Sequence, residues 1–178
     1  PYRRLAGEAL AAAGQPGSDA SGPLGAGYGA RSGSRPGGIG SVSRQLEDGI
    51  IVGALIAANS FGEVYAGPPP PGEVEMPKLS RHRGFGRQDH SRQNTVIGAV
   101  ATNAPITRAQ ALRMAMVAQT GLARAVRPVH TQFDGDCLFA LSTAPPGTLP
   151  VDDVDLTIIA AVAADLVAAA TRRAVGLH

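Results

Sequence analysis

The chain of 178 residues has no tryptophan, only 4% aromatic residues and a single lysine, Lys78. Proteins that read nucleic acids combine basic patches with aromatic rings on which bases stack, and both features are scarce here. The formal net charge of +2 reflects a small excess of arginine and not a basic face. The composition therefore argues against a nucleic-acid partner.

Cysteine is nearly absent too. The one cysteine, Cys137, excludes an intrachain disulfide and leaves too few thiols for a structural zinc site. Because it lies in an apolar stretch, we expect a buried and unreactive thiol. A metal site could use His130 with Asp134 and Asp136, but the group lacks a further strong ligand. We expect neither a metal nor another cofactor.

Long hydrophobic runs are also missing. The nearest, residues 158–170, is interrupted by Asp165, so no run reaches the roughly 18 uninterrupted apolar residues of a membrane span. We expect no membrane partner. The chain begins with Pro1 and not with methionine, which indicates a fragment or a processed piece.

The residues that are present predict a layered α/β protein with small side chains in its core. Apolar periodicity predicts helices at residues 2–13, 108–126 and 152–175, and strands at residues 39–46, 50–58, 95–101 and 136–142. A turn signal at residues 47–49 predicts a hairpin, and hence some antiparallel pairing. Thr107 followed by Gln110 is typical of a helix-capping box.

The most informative position is Thr95. Residues 67–94 contain four consecutive prolines and clustered charges without periodicity, which predicts an exposed linker that ends at Asn94. A self-cleaving enzyme would place its nucleophile there, because cleavage before Thr95 frees an α-amine beside the hydroxyl. An amine with a reference pKa of about 7.7 is a ready general base. A purely structural strand threonine remains the alternative.

Two further positions are candidates for the same chemistry. Asp134-Gly135-Asp136 places two carboxylates at a strand entrance, where they could hold an ammonium or hydroxyl group, although Asp-Gly is also a common turn. Asn59 follows an apolar strand, and its amide could donate to an oxyanion or simply form a turn.

Several motifs, in this order and spacing, resemble the L-aminopeptidase/D-esterase family of N-terminal nucleophile hydrolases. That family includes β-peptidyl aminopeptidases and the endo-type 6-aminohexanoate-oligomer hydrolase. The matching segments are Gly25-Ala26-Gly27-Tyr28-Gly29-Ala30-Arg31, Gly37-Gly38-Ile39-Gly40-Ser41, Val52-Gly53-Ala54-Leu55 with Asn59, Asn94-Thr95-Val96-Ile97, Gly121-Leu122-Ala123-Arg124, Arg127-Pro128-Val129-His130-Thr131, and Asp134-Gly135-Asp136 with Phe139-Ala140-Leu141.

The resemblance implies an αββα layered sandwich whose N-terminal part lies outside this sequence. It implies autocleavage between Asn94 and Thr95, with residues 1–66 in the α-chain, 67–94 as linker and 95–178 as the β-chain. It assigns Thr95 as nucleophile and base, Asn59 to the oxyanion, and Asp134 and Asp136 to orienting Thr95.

The implied substrate is a small peptide or amide, and the implied assembly is a tetramer of cleaved heterodimers. Many members carry a lysine just before the Gly-Gly-Ile-Gly segment, where this chain has Arg35-Pro36. An arginine does not replace a lysine in proton transfer. A catalytically inactive member that serves as an assembly or binding module is therefore the alternative function.

Overall fold

A computed structural model describes residues 2–13, 21–72 and 94–177. The elements in chain order are helix α1 (Tyr2–Ala13), a 3-10 turn (Gly25–Gly27), strands β1 (Arg31–Ser32), β2 (Arg35–Pro36), β3 (Gly38–Gln45), β4 (Ile51–Ala58), β5 (Glu63–Val64) and β6 (Ile97–Thr102), helix α2 (Arg108–Ala123), strands β7 (Val126–Arg127) and β8 (Cys137–Ser142), and helix α3 (Asp153–Ala174).

The central sheet has the order β3-β4-β6-β8. Strands β3 and β4 form the predicted antiparallel hairpin, in which Gly49 adopts the positive φ of 83° that its turn requires. Strand β4 also pairs antiparallel with β6, whereas β6 pairs parallel with β8. Helix α2 makes the crossover that a parallel pair needs. The middle of the sheet therefore joins residues from before and after Thr95.

Helices α2 and α3 pack on one face of this sheet, and the main core lies between them. Its largest fully buried side chains include Ile56, Val100, Met114 and Ile159. Glycine allows close approach at these contacts: a Cβ on Gly40 would lie 2.0 Å from the carbonyl oxygen of Ala170. The abundance of small residues in the sequence is thus explained by tight layer packing.

The opposite face of the sheet carries apolar side chains that no described element covers. Leu55, Ile97 and Phe139 are 50%, 50% and 61% exposed, and they alternate with core residues because successive strand side chains point to opposite faces. The described residues thus supply one four-stranded sheet with one helix layer, beside the small two-stranded sheets β1-β2 and β5-β7. An αββα sandwich places a second such pair on the open sheet face.

Most predicted elements are confirmed within three residues at each end, and the capping box of Thr107 and Gln110 is present. Helix α2 ends at Ala123 and not at residue 126, because Val126 is extended and pairs with Val64. The expectation of a buried thiol is wrong: Cys137 belongs to the open face of β8 and is exposed. The predicted linker lies largely outside the described residues, since 73–93 are not among them.

Helix α3 is long and apolar enough, by length and composition, to cross a membrane. Its apolar 18-residue window is 56% buried inside the protein, and its buried side chains contribute to the core. Packing against the sheet and α2 explains the hydropathy of α3.

Candidate active site

The peptide bond between Asn94 and Thr95 lies just before β6, and chain segments on both sides form hydrogen bonds with it. The N–H of Thr95 donates to the carbonyl oxygen of Asn59, 2.7 Å away at the end of β4. On the other side, the carbonyl oxygen of Asn94 accepts the N–H of Gly135 at 3.0 Å, and Asn94 forms a parallel bridge with Asp134. Neighbouring chain segments therefore hold this one peptide group through both its N–H and its C=O.

The hydroxyl of Thr95 lies against the carbonyl group that precedes it. Its Oγ1 donates to the carbonyl oxygen of Asn94 at 2.5 Å. That oxygen therefore accepts two hydrogen bonds, one from Oγ1 and one from Gly135 N. Two donors on one carbonyl oxygen polarise the C=O bond and make its carbon more electrophilic.

Gly135 approaches the hydroxyl closely. A Cβ on Gly135 would lie 2.9 Å from Thr95 Oγ1, so the space beside the hydroxyl exists because this residue has no side chain. Gly135 is not among the glycines with positive φ. Any side chain at position 135 would therefore displace the Thr95 hydroxyl from its present position.

Asn59 contacts the site through its backbone and its side chain. Its carbonyl oxygen accepts the N–H of Thr95, as described above, and its Oδ1 accepts the N–H of Arg31 at 3.1 Å. Since Oδ1 accepts this bond, the amide orientation is set by strand β1. Arg35, just before the Gly-Gly-Ile-Gly segment, lies on the exposed neighbouring strand β2.

Asp134 organises the loop that precedes β8. Its Oδ1 accepts the N–H of Phe61 at 3.0 Å, and its Oδ2 accepts both the N–H and the hydroxyl of Thr131, at 3.1 and 2.7 Å. The rings of Phe61 and Phe133 also contact each other, with centroids 5.4 Å apart. These bonds fix the residue immediately before Gly135.

The carboxylate of Asp136 is almost fully buried, with a side chain only 3% exposed. Its Oδ1 accepts the N–H of Val96 at 2.8 Å, and its Oδ2 lies 2.7 Å from Nδ1 of His130. His130 is held in a left-handed conformation with φ 52°, which is uncommon for a residue with a side chain. Asp136 thus links Val96, the residue after Thr95, to His130.

The structure brings together all four residues that the sequence singled out, Asn59, Thr95, Asp134 and Asp136. Asp136 accepts the N–H of Val96, the residue next to Thr95, whereas Asp134 bonds to Phe61 and Thr131. Among the described hydrogen bonds, neither carboxylate bonds to the Thr95 hydroxyl. No three His, Cys, Asp or Glu side chains of the described ranges group as a metal site.

Two groups at this site make contacts that the residue types alone do not predict. The Gly135 N–H donates to the Asn94 carbonyl oxygen, and His130 Nδ1 lies 2.7 Å from Asp136 Oδ2. The Gly135 contact follows from strand register, which the residue types do not reveal. Ile97 pairs with Cys137 in the parallel β6–β8 ladder, so Thr95 two residues earlier lies beside Gly135.

Comparisons with known proteins agree with the resemblance. The sequence model of peptidase family S58 matches residues 3–176. An L-aminopeptidase D-Ala-esterase/amidase from Ochrobactrum anthropi, described as a prototype for the serine aminopeptidases and a variant of the Ntn hydrolase fold, superposes with a TM-score of 0.68 at 27% identity. The match covers 90% of this chain and 46% of that one.

A β-aminopeptidase from a Burkholderia species superposes with a TM-score of 0.66 at 29% identity, over 94% of this chain and 49% of that one. An uncharacterized aminopeptidase of Mycobacterium leprae is 40% identical, over 83% of this chain and 44% of its own length. Another, from Mycobacterium bovis, is 34% identical over 84% and 50%. The chain thus spans about half the length of these relatives.

Proposed function

Because this chain belongs to peptidase family S58, we propose that it is the nucleophile-bearing part of an autoprocessing amidohydrolase. It would cleave amide bonds of small peptides or amino-acid-derived oligomers through an acyl-Thr95 intermediate. The observation that carries the proposal is the contact between Thr95 Oγ1 and the carbonyl of Asn94, 2.5 Å from oxygen to oxygen. The nucleophile and the bond it would cut first are adjacent in the uncut chain.

Self-cleavage would follow from this geometry in two steps. Thr95 Oγ attacks the carbonyl carbon of Asn94, the C–N bond breaks, and the hydroxyl proton ends on the departing nitrogen. The product is an ester between Asn94 and Thr95 with a free α-amine on Thr95. Water then hydrolyses the ester, which releases the Asn94 carboxylate and restores the hydroxyl.

The same residue would then act on substrates. The new α-amine takes the hydroxyl proton as Oγ attacks a substrate carbonyl, and it returns the proton to the leaving amine. The contact between Thr95 N and Asn59 O supports this role, because it would hold the amine where the peptide nitrogen lies now. The names of the Ochrobactrum and Burkholderia relatives support aminopeptidase and amidase chemistry.

Cleavage would leave the two chains together. Strand β4 lies before the cut and β6 after it, and the two pair over six residues in the middle of the sheet. Helix α3, which also follows the cut, packs on β3 and β4 through the main core. This shared sheet supports a stable heterodimer of the two cleaved chains. The family resemblance implies that four such heterodimers assemble into a tetramer.

Mass spectrometry of the denatured full-length protein tests the proposal. We expect two chains divided between Asn94 and Thr95, and one uncut chain for Thr95→Ala. Turnover of p-nitroanilides of α- and β-amino acids should appear only in the cleaved protein. A folded wild-type protein that stays uncut and turns over no such substrate would contradict the proposal and would favour an inactive assembly module.

A further inference from the structure

We propose that the backbone N–H of Gly135 is the oxyanion donor for cleavage of the Asn94–Thr95 bond. This inference rests on the proposed autoprocessing function and assigns to Gly135 a role that its lack of a side chain conceals. The N–H lies 3.0 Å from the carbonyl oxygen of Asn94, the atom that gains negative charge when Thr95 Oγ attacks. Donors aimed at such an oxygen are a large source of catalysis in acyl transfer.

The chemistry requires a donor that is distinct from the nucleophile. In the uncut chain the oxygen of Asn94 accepts from Thr95 Oγ1 and from Gly135 N. When Oγ forms its bond to the carbonyl carbon, it gives up its proton to the departing nitrogen of Thr95 and no longer donates. The Gly135 N–H remains and stabilises the tetrahedral oxyanion until the C–N bond breaks.

The donor is fixed before any charge develops. On one side of Gly135, Asp134 is held by Phe61 and Thr131, and on the other, Asp136 is held by Val96 and His130. With both flanking residues anchored, the N–H needs little reorganisation at the moment of reaction. Asp134 and Asp136 are then positioning residues in the cleavage step, because they act through the backbone of Gly135 and Val96.

The small size of Gly135 also leaves space for the attacking oxygen. A side chain there would place its Cβ 2.9 Å from Thr95 Oγ1 and would crowd the hydroxyl as it rotates toward the carbonyl carbon. The position thus combines a donor for the carbonyl oxygen with open space beside the nucleophile.

An amide-to-ester exchange at position 135 tests the proposal, because glycolic acid in place of glycine removes the N–H and little else. We expect autocleavage of the folded full-length protein to slow by about 10²- to 10³-fold, the usual cost of one oxyanion donor. Gly49 offers a matched control, since its N–H donates to the oxygen of Leu46 at the same 3.0 Å, in the distant β3–β4 turn. The exchange at Gly49 should leave the cleavage rate unchanged.

If the protein with the ester at position 135 cuts its Asn94–Thr95 bond as fast as the protein with the ester at position 49, the inference is wrong and the proposed function stands. If the unmodified protein does not cut itself at all, the proposed function is wrong. If the position-135 ester yields no folded protein, Thr131→Val provides the second test. It removes one of the bonds that hold Asp134. We expect about 3- to 10-fold slower cleavage at an equal folded fraction. An unchanged rate again overturns the inference.

Discussion

Thr95 and Asn59 are joined by a hydrogen bond of 2.7 Å from the Thr95 N–H to the Asn59 carbonyl oxygen. The bond continues the antiparallel register of β4 with β6 two residues beyond the Ala57–Ile97 pair, to the residue that bears the candidate nucleophile. A backbone acceptor at this place does not depend on the identity of the side chain. It would keep the nitrogen of Thr95 in position whether that nitrogen belongs to a peptide or to a free amine.

The α-amine that the proposed cleavage would free on Thr95 should determine how the activity of the cleaved protein falls at low pH. A protonated amine cannot accept the hydroxyl proton, so activity should be lost as pH falls below the reference pKa of about 7.7 and should be full above it. The pH dependence of kcat/KM toward a p-nitroanilide measures this limb. Thr95→Ser should keep the same midpoint, since it carries the same amine. A flat profile between pH 6 and 9 would show that another group is the base.

Asn59→Asp separates the two functions of the Asn59 side chain. The aspartate keeps an oxygen for the N–H of Arg31 but loses the amide donor proposed for the oxyanion of the substrate reaction. We expect kcat of the cleaved enzyme to fall by about 10²- to 10³-fold.

Asn103→Asp is the matched control for this change. The Oδ1 of Asn103 likewise accepts a backbone N–H, that of Ile51, and its Nδ2 donates to Gly49 at the opposite end of β4. Steady-state kinetics give kcat for both variants. An equal fall of kcat in Asn59→Asp and Asn103→Asp would point to general destabilisation and not to a lost donor.

Asp136→Ala should destabilise the fold as well as the site. The variant leaves the N–H of Val96 without its acceptor in a nearly dry environment, which costs about 1–3 kcal/mol of unfolding free energy. Denaturant unfolding of the variant in a Thr95→Ala background, where no cleavage occurs, measures this cost. Asp48→Ala is the comparison, because Asp48 accepts the N–H of Ile50 in an exposed turn. A loss at Asp136 no larger than that at Asp48 would contradict the burial argument.

Glycine substitutions should report on the packing of the sheet against α3. Gly40→Ala places a methyl group 2.0 Å from the backbone oxygen of Ala170, and a backbone atom cannot rotate away. We expect a loss of about 1–3 kcal/mol of unfolding free energy. In the same sheet, Gly53→Ala meets nothing closer than 3.8 Å and should be neutral or slightly stabilising. Denaturant midpoints of the two variants provide the test.

The secondary structure was largely predictable because its signals are local. Capping at Thr107, the turn at Gly49 and the continuous apolar run of β4 that follows it are each visible in a few neighbouring residues. The end of α2 was not predictable in this way, since it depends on pairing between Val126 and the distant Val64. The exposure of Cys137 escaped prediction for a similar reason, because an apolar strand does not reveal which of its faces is covered.

At the candidate site, too, some features could be predicted from the sequence and others depend on distant parts of the chain. Its side-chain types could be predicted from the motifs, and the structure brings Asn59, Thr95, Asp134 and Asp136 into one place. The backbone contacts could not be predicted, because every residue except proline carries an N–H and only the register of β6 with β8 selects that of Gly135. Where a site depends on main-chain donors, composition conceals them and topology reveals them.

The parallel pairing of Asn94 with Asp134 has a consequence for timing. In the uncut chain, the Asn94 carbonyl lies beside Gly135, where under the proposed function the carbonyl of an incoming amide would bind. Under that proposal, the protein's first substrate would also be its first inhibitor. Catalysis on other molecules would have to wait until the severed end has withdrawn, so a lag should separate chain scission from the first external turnover.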